Sequence, residues 1–190
     1  MLFRSYFTVH HALPLPAVVP PCVFARERTF DWPAAAGWTD FAVLHPGTRW
    51  QRKRWVRDRW LAVAGELAGT FSRLIISAGP DPEEVRDAAE LERALVGRAV
   101  STAGKLNWAQ LAGLLHRASC FVGVDTAAMH LAAACQTPTV ALFGPSDERV
   151  WHPWQTRYGL VAPPGDTPHL RRMADITVAQ VLAACRRLRA

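Results

Sequence analysis

From residue 41 onward, short β-rich apolar runs alternate with segments of helical period, and this alternation restricts the possible folds more than any other feature of the sequence. Strands are predicted at 41–45, 73–77, 99–102, 120–124, 139–143 and 158–162, several of them apolar on both faces, as strands buried in a parallel sheet are. Helical patterns fill 57–67, 82–95, 108–117 and 126–135, and a last one at 178–188 has Thr177 in place as an N-cap. This order predicts an α/β fold: a Rossmann-like parallel sheet with helices on both faces. Ligands of such sheets lie outside the carboxyl ends of the strands, so the loops that follow residues 45, 78, 102, 124 and 143 are where chemistry is expected.

The chain has 190 residues, half of them apolar and a fifth charged, enough for one such domain and too few for two. Residues 1–38 are rich in proline and aromatics and carry no sustained period. They are expected to form an irregular segment or a remnant of something larger, with the domain proper at 39–190. No apolar stretch approaches the roughly 18 residues that span a bilayer. Pro14, Pro16, Pro20 and Pro21 interrupt what would otherwise resemble a secretory signal, so a cytoplasmic location is expected. Cys22, Cys120, Cys135 and Cys185 form no CxxC pair, which points to buried thiols and not to a zinc ribbon or redox dithiol. The net charge of +6 favours an anionic partner.

Much of that charge falls in the first loop, where residues 49–59 hold six basic side chains against the single acid Asp58. Gly47 permits close backbone approach, Thr48 offers a hydroxyl, and Lys53 suits a phosphate as a point charge. A solvated basic face is the alternative. Interleaved Trp50, Trp55 and Trp60 also permit a base-stacking nucleic-acid groove, although no RNP, KH or helix-turn-helix pattern accompanies them.

The segment from Phe121 to Ala134 passes directly from a strand into a helix of small residues, with Asp125 at the strand's end. The amides of Thr126, Ala127 and Ala128 would then stand unpaired at the positive end of the helix dipole, where a pyrophosphate binds well. His130 lies one turn beyond Thr126 on the same face, within reach of the phosphate or the ligand's sugar. The competing reading is that Asp125 caps the helix and His130 packs in the core. In the loop 77–84, Glu83 either serves the helix dipole or meets a ribose hydroxyl. Gly104-Lys105-Leu106-Asn107 borders a nucleobase, or Asn107 caps the next helix. Trp151-His152-Pro153-Trp154 suits a sugar site or a packed loop. No GxGxxG, Walker A, HExxH or GxSxG motif is present.

Three segments taken together carry a family resemblance: the Gly47-Thr48 loop with Lys53-Arg54-Trp55, the run Phe121 to Ala134, and Pro138 to Asp147. Over roughly residues 39–190 the chain resembles the C-terminal domain of the lipopolysaccharide core heptosyltransferases, glycosyltransferase family 9. The resemblance implies GT-B architecture, in which two Rossmann-like domains face a cleft and the C-terminal one holds ADP-L-glycero-D-manno-heptose as donor substrate, with no cofactor and no metal. It implies that Thr48 and Lys53 contact the diphosphate and that Asp125, Thr126, Ala127 and His130 lie at the diphosphate and heptose. It also places Glu83 at the adenosine ribose and Leu106 near the adenine. Ala127, where the family usually has glycine, together with Trp151 to Trp154, is similar to the heptosyltransferase III branch.

The implied partners are the nucleotide-sugar donor, a lipid-linked oligosaccharide acceptor and, peripherally, an anionic inner membrane, with no specific nucleic acid. Residues 1–38 hold no counterpart of the domain that supplies the family's catalytic aspartate and acceptor site. Two functions therefore stand: the donor-binding part of an inverting heptosyltransferase, or a non-catalytic module that binds a nucleotide or a partner.

Overall fold

The computed structural model describes residues 19–189. Its strands are β1 (Phe41–His45), β2 (Arg73–Ile76), β3 (Ala99–Ser101), β4 (Cys120–Val124), β5 (Thr139–Leu142) and β6 (Tyr158–Val161). Its helices are α1 (Arg57–Thr70), α2 (Pro82–Ala94), α3 (Trp108–Arg117), α4 (Ala127–Ala134), α5 (Glu148–Trp151) and α6 (Val178–Arg189). The strands form one sheet in the order 3-2-1-4-5-6, and every pairing is parallel. β1 and β4 sit at its centre and are buried along their whole length, as their unbroken apolar runs require.

Alternate residues of each strand feed two separate cores. Ala42, Leu44, Leu74, Ile76, Val122, Val124, Val140 and Leu142 pack on one face with α1, α2 and α6. Phe41, Val43, Ile75, Phe121, Ala141 and Phe143 pack on the other with α3 and α4. Complete burial of Phe41, Phe121 and Phe143 contributes about 1.5–3 kcal/mol apiece. The chain is thus an α/β domain with a Rossmann-like fold, as its pattern predicts. No helix among the described residues is long and apolar enough to cross a membrane.

Several helix starts are fixed by side chains. Asp81 accepts from the amides of Glu83 and Glu84, and Asn107 and Gln110 form a reciprocal capping box that opens α3. Thr177 and Gln180 exchange the same kind of bonds at the start of α6. The short α5, begun by Asp147, falls in a stretch where the sequence predicts only loop.

Residues 19–38 run as irregular chain with two 3-10 turns, and they lie against α3 and α4. The Phe24 amide donates to Ala134 O at 2.9 Å, and Phe30 donates to Ala109 O at 3.2 Å. The Arg117 guanidinium donates to Ala35 O and Trp38 O, while Phe24, Trp32 and Trp38 pack on the core beneath. Gly113 makes room for this strap, since a Cβ there would stand 2.4 Å from Phe30 O. Residues 1–18, which hold Pro14 and Pro16, lie outside the described residues. Of the four cysteines expected to be buried, Cys22 is exposed, because it lies on this strap outside both cores.

Candidate functional site

The strand order reverses between β1 and β4, so the loops leaving their carboxyl ends diverge and open a crevice there. A 3-10 turn, Gln51–Lys53, carries Lys53 across that crevice from the β1 side. Its Nζ donates to Asp125 Oδ2 at 2.6 Å and approaches Asp125 O at 3.3 Å. Asp125 is 6% exposed, and its backbone amide is held by Leu142 O on β5. It does not cap α4. Thr126 is the N-cap residue, yet its hydroxyl makes no capping bond, and Oγ1 is buried without a hydrogen-bond partner. A buried hydroxyl left unmatched beside free helix amides and an ammonium is a ready set of donors for an anion.

His130 follows one turn later, half-exposed, with Nε2 3.8 Å from Asp125 Oδ1. It is not packed in the core. Burial lowers its pKa below the ordinary histidine value, and the charge of Asp125 only partly opposes this. At neutral pH the ring is therefore uncharged and offers one donor and one acceptor. Ala127 is exposed at the opening of the helix, where its side chain is no more than a methyl group.

The rest of the β1 loop is tied to α2. Thr48 is buried, its Oγ1 accepts from the Trp50 amide at 3.3 Å, and its carbonyl accepts from Arg54 Nε. Arg54 in turn pairs with Glu83 at 2.5 Å, and this contact holds the Glu83 carboxyl below its usual range. Beside it, the buried Glu84 accepts from the Gly79 amide at 2.9 Å and fills the space in front of Gly47. A Cβ at Gly47 would stand 2.4 Å from Glu84 Oε2. Beneath the loop, His45 Nδ1 and Ser77 Oγ hydrogen-bond at 2.9 Å and join the ends of β1 and β2.

The structure thus brings Lys53, Asp125, Thr126, Ala127 and His130 together and links Thr48 to Glu83 through Arg54. Leu106 stands apart, partly buried against the core under α3 and α4. Arg54, Glu84 and the His45–Ser77 pair were not singled out from sequence. Arg54 and Glu84 are the immediate neighbours of two residues that were, and only the fold distinguishes the members of such pairs.

The basic run is solvated in part: Arg49, Arg52 and Arg57 are exposed, while Lys53, Arg54 and Arg59 are partly buried. Arg54 and Arg57 pair with Glu83 and Glu90 of α2, while Arg52 donates to His169 O and Arg59 to Ala174 O and Ile176 O. These arginines staple α1 and its approach to α2 and to the segment before α6. Trp55 and Trp60 are buried and meet edge to face at 4.8 Å, which leaves Trp50 alone exposed, at 69%. The spacing was legible, but these two rings face the sheet.

The loop after β5 is built around Arg171, a buried guanidinium that forms two bonds to Glu148 and donates to Gly144 O and Ser146 O. It fixes α5, whose last residue, Trp151, has its ring centroid 6.3 Å from that of His130. Among the described residues, no group of three or more His, Cys, Asp or Glu side chains is placed to hold a metal ion.

Residues 4–175 match the family model described as glycosyltransferase family 9 (heptosyltransferase). Lipopolysaccharide heptosyltransferase 3 of Escherichia coli is 32% identical over 136 residues, which make up 71% of this chain and 40% of that protein. Lipopolysaccharide heptosyltransferase 1 of Pseudomonas aeruginosa is 36% identical over 147 residues, 76% of this chain and 39% of that one. Among solved structures, E. coli heptosyltransferase WaaC with ADP-2-deoxy-2-fluoro heptose aligns with a TM-score of 0.73 at 23% identity, over 90% of this chain and 50% of that one. E. coli ADP-heptose lps heptosyltransferase II aligns with a TM-score of 0.72 at 22% identity, over 93% and 55%. The chain spans about two-fifths of the length of these two curated relatives and about half of the two solved chains.

Proposed function

The chain belongs to glycosyltransferase family 9, the heptosyltransferases, and on that premise we propose that it is the donor-binding part of an inverting enzyme that moves heptose from ADP-L-glycero-D-manno-heptose to the lipopolysaccharide inner core. The observation that supports this most is the convergence of Lys53, the Thr126 hydroxyl and the first amides of α4 at the reversal of the sheet. Two linked phosphoryl groups fit that set of donors. Relatives named heptosyltransferase 3 and heptosyltransferase 1 match at similar identity, which favours the shared donor over any one acceptor.

In this reading the contribution of these residues is electrostatic. As the bond between heptose and phosphate breaks, negative charge grows on the ADP oxygens, and Lys53 with the α4 amides stabilises it there. Asp125 aims the ammonium, and the neutral His130 ring exchanges hydrogen bonds with the sugar or the nearer phosphate. Thr48 and the Arg54–Glu83 pair hold the first loop at the diphosphate and ribose, and Leu106 lines the adenine. The base that deprotonates the acceptor hydroxyl lies in the part of the relatives' length that this chain does not span. The proposed setting is cytoplasmic, with peripheral contact to the anionic inner membrane where the lipid-linked acceptor resides.

Calorimetry with ADP, ADP-heptose and a UDP-sugar tests the assignment. Binding of the two adenine ligands and not of the UDP-sugar is expected, and indifference to the base would overturn it. Residues 1–190 alone are expected to transfer no heptose to a lipid A–Kdo acceptor, and turnover by them would refute the division of labour.

A further inference from the structure

Four aromatic residues cluster after β5, and they split into two groups. The His152 ring lies 5.6 Å from both Trp154 and Tyr158, and the Trp154 indole donates to Pro20 O, so these three join the edge strand β6 to the N-terminal strap. Trp151 points the other way. Its ring meets His130 at 64° and is 37% exposed, so it stands at the rim of the Asp125 crevice and outside both cores.

The support behind it is unusually complete for a four-residue helix. Arg171, itself buried, meets Glu148 with Nη1 and Nη2, holds Ser146 O with the same Nη2 and Gly144 O with Nε, and Asp147 caps the turn. A buried guanidinium with every bond directed at one short loop fixes what that loop presents. The end of the loop presents an indole beside a neutral imidazole, which sits 3.8 Å from the carboxylate that holds Lys53. An apolar ring face next to two groups able to hydrogen-bond hydroxyls is the composition of a sugar subsite: the ring covers the C–H face, and the polar groups orient the hydroxyls.

We propose that Trp151 forms the wall of the donor's sugar subsite, stacking on the C–H face of the pyranose while His130 meets its hydroxyl edge. This rests on the donor reading above and extends it to the part of the ligand beyond the diphosphate. Trp151 then sets how much more tightly the sugar nucleotide binds than the bare nucleotide, and it leaves the nucleotide itself untouched.

The experiment compares ADP and ADP-heptose affinities of the chain with those of Trp151→Ala and Trp151→Phe. The wild-type chain is expected to bind ADP-heptose more tightly than ADP. Trp151→Ala should keep the ADP affinity and lose roughly five- to tenfold for ADP-heptose, and Trp151→Phe should regain most of that loss. Equal affinities for the two ligands in the wild type would overturn the role of Trp151 and leave nucleotide binding intact. So would a Trp151→Ala variant that weakens both ligands alike or neither. A wild-type chain that binds neither ligand removes the donor reading itself, and this proposal with it.

Discussion

Lys53 and Asp125, 72 residues apart in sequence, meet at 2.6 Å across the seam between β1 and β4. The ammonium that would face a phosphate is therefore already matched by a carboxylate. A diphosphate arriving there takes the ammonium donors that Asp125 leaves free, at a cation whose position the carboxylate already fixes.

Lys53→Ala should weaken ADP binding far more than adenosine binding. A hydrogen bond to a charged group contributes about 1.5–3 kcal/mol, so a loss of roughly 10- to 100-fold for ADP is expected. Titration of both ligands checks this, and equal losses would remove Lys53 from the diphosphate.

Thr126→Val separates binding from stability. Because Oγ1 is buried without a partner, replacing it with a methyl should change the free energy of unfolding by less than about 1 kcal/mol. Affinity for ADP should nevertheless fall by roughly fivefold, the value of one hydrogen bond of about 1 kcal/mol. Urea unfolding beside calorimetry measures the two effects, and a large drop in stability with unchanged affinity would make the hydroxyl structural.

Stability should decline as pH drops from about 6.5 towards 5. Burial pushes His45 down to about 4, with the Ser77 contact only partly opposing, so across this window the unfolded chain takes up a proton that the folded one refuses. His130, lowered by burial, acts in the same direction. The stabilisation is complete above the unfolded pKa, and the loss runs at up to about 1.4 kcal/mol per pH unit for His45. Unfolding midpoints at pH 7 and pH 5 should differ accordingly. In His45→Asn most of the slope should vanish, and a persistent slope would assign it elsewhere.

Gly113→Ala should cost about 1–3 kcal/mol, because the neighbour at 2.4 Å is the Phe30 carbonyl, backbone that no rotamer change can move. Faster proteolytic cutting within residues 19–38 should accompany the lower midpoint. An unchanged midpoint and cutting rate would show that the strap shifts without cost.

The sheet was legible because burial on both faces leaves unbroken apolar runs, and all six strands fall within one residue of their expected bounds. The Asp125–His130 segment was legible for a similar reason, since a strand feeding a helix of small residues fixes its geometry locally. What escaped depended on partners distant in sequence. Nothing near Glu83 announces that it meets Arg54, or that the adjacent Glu84 turns inward to Gly79 and Gly47. Trp60 falls on the side of its helical pattern that should face the sheet and is buried there, whereas nothing near Trp55 announces that its indole is buried and donates to Ile176 O.

The contact of Gly47 with Glu84 has a mechanical consequence. Glu84 opens α2 and accepts from the Gly79 amide, while the same carboxylate occupies the space that a side chain at position 47 would need. A methyl group at Gly47 would therefore push that carboxylate off its anchor, so a change in the loop after β1 would be felt first as a loosened turn after β2.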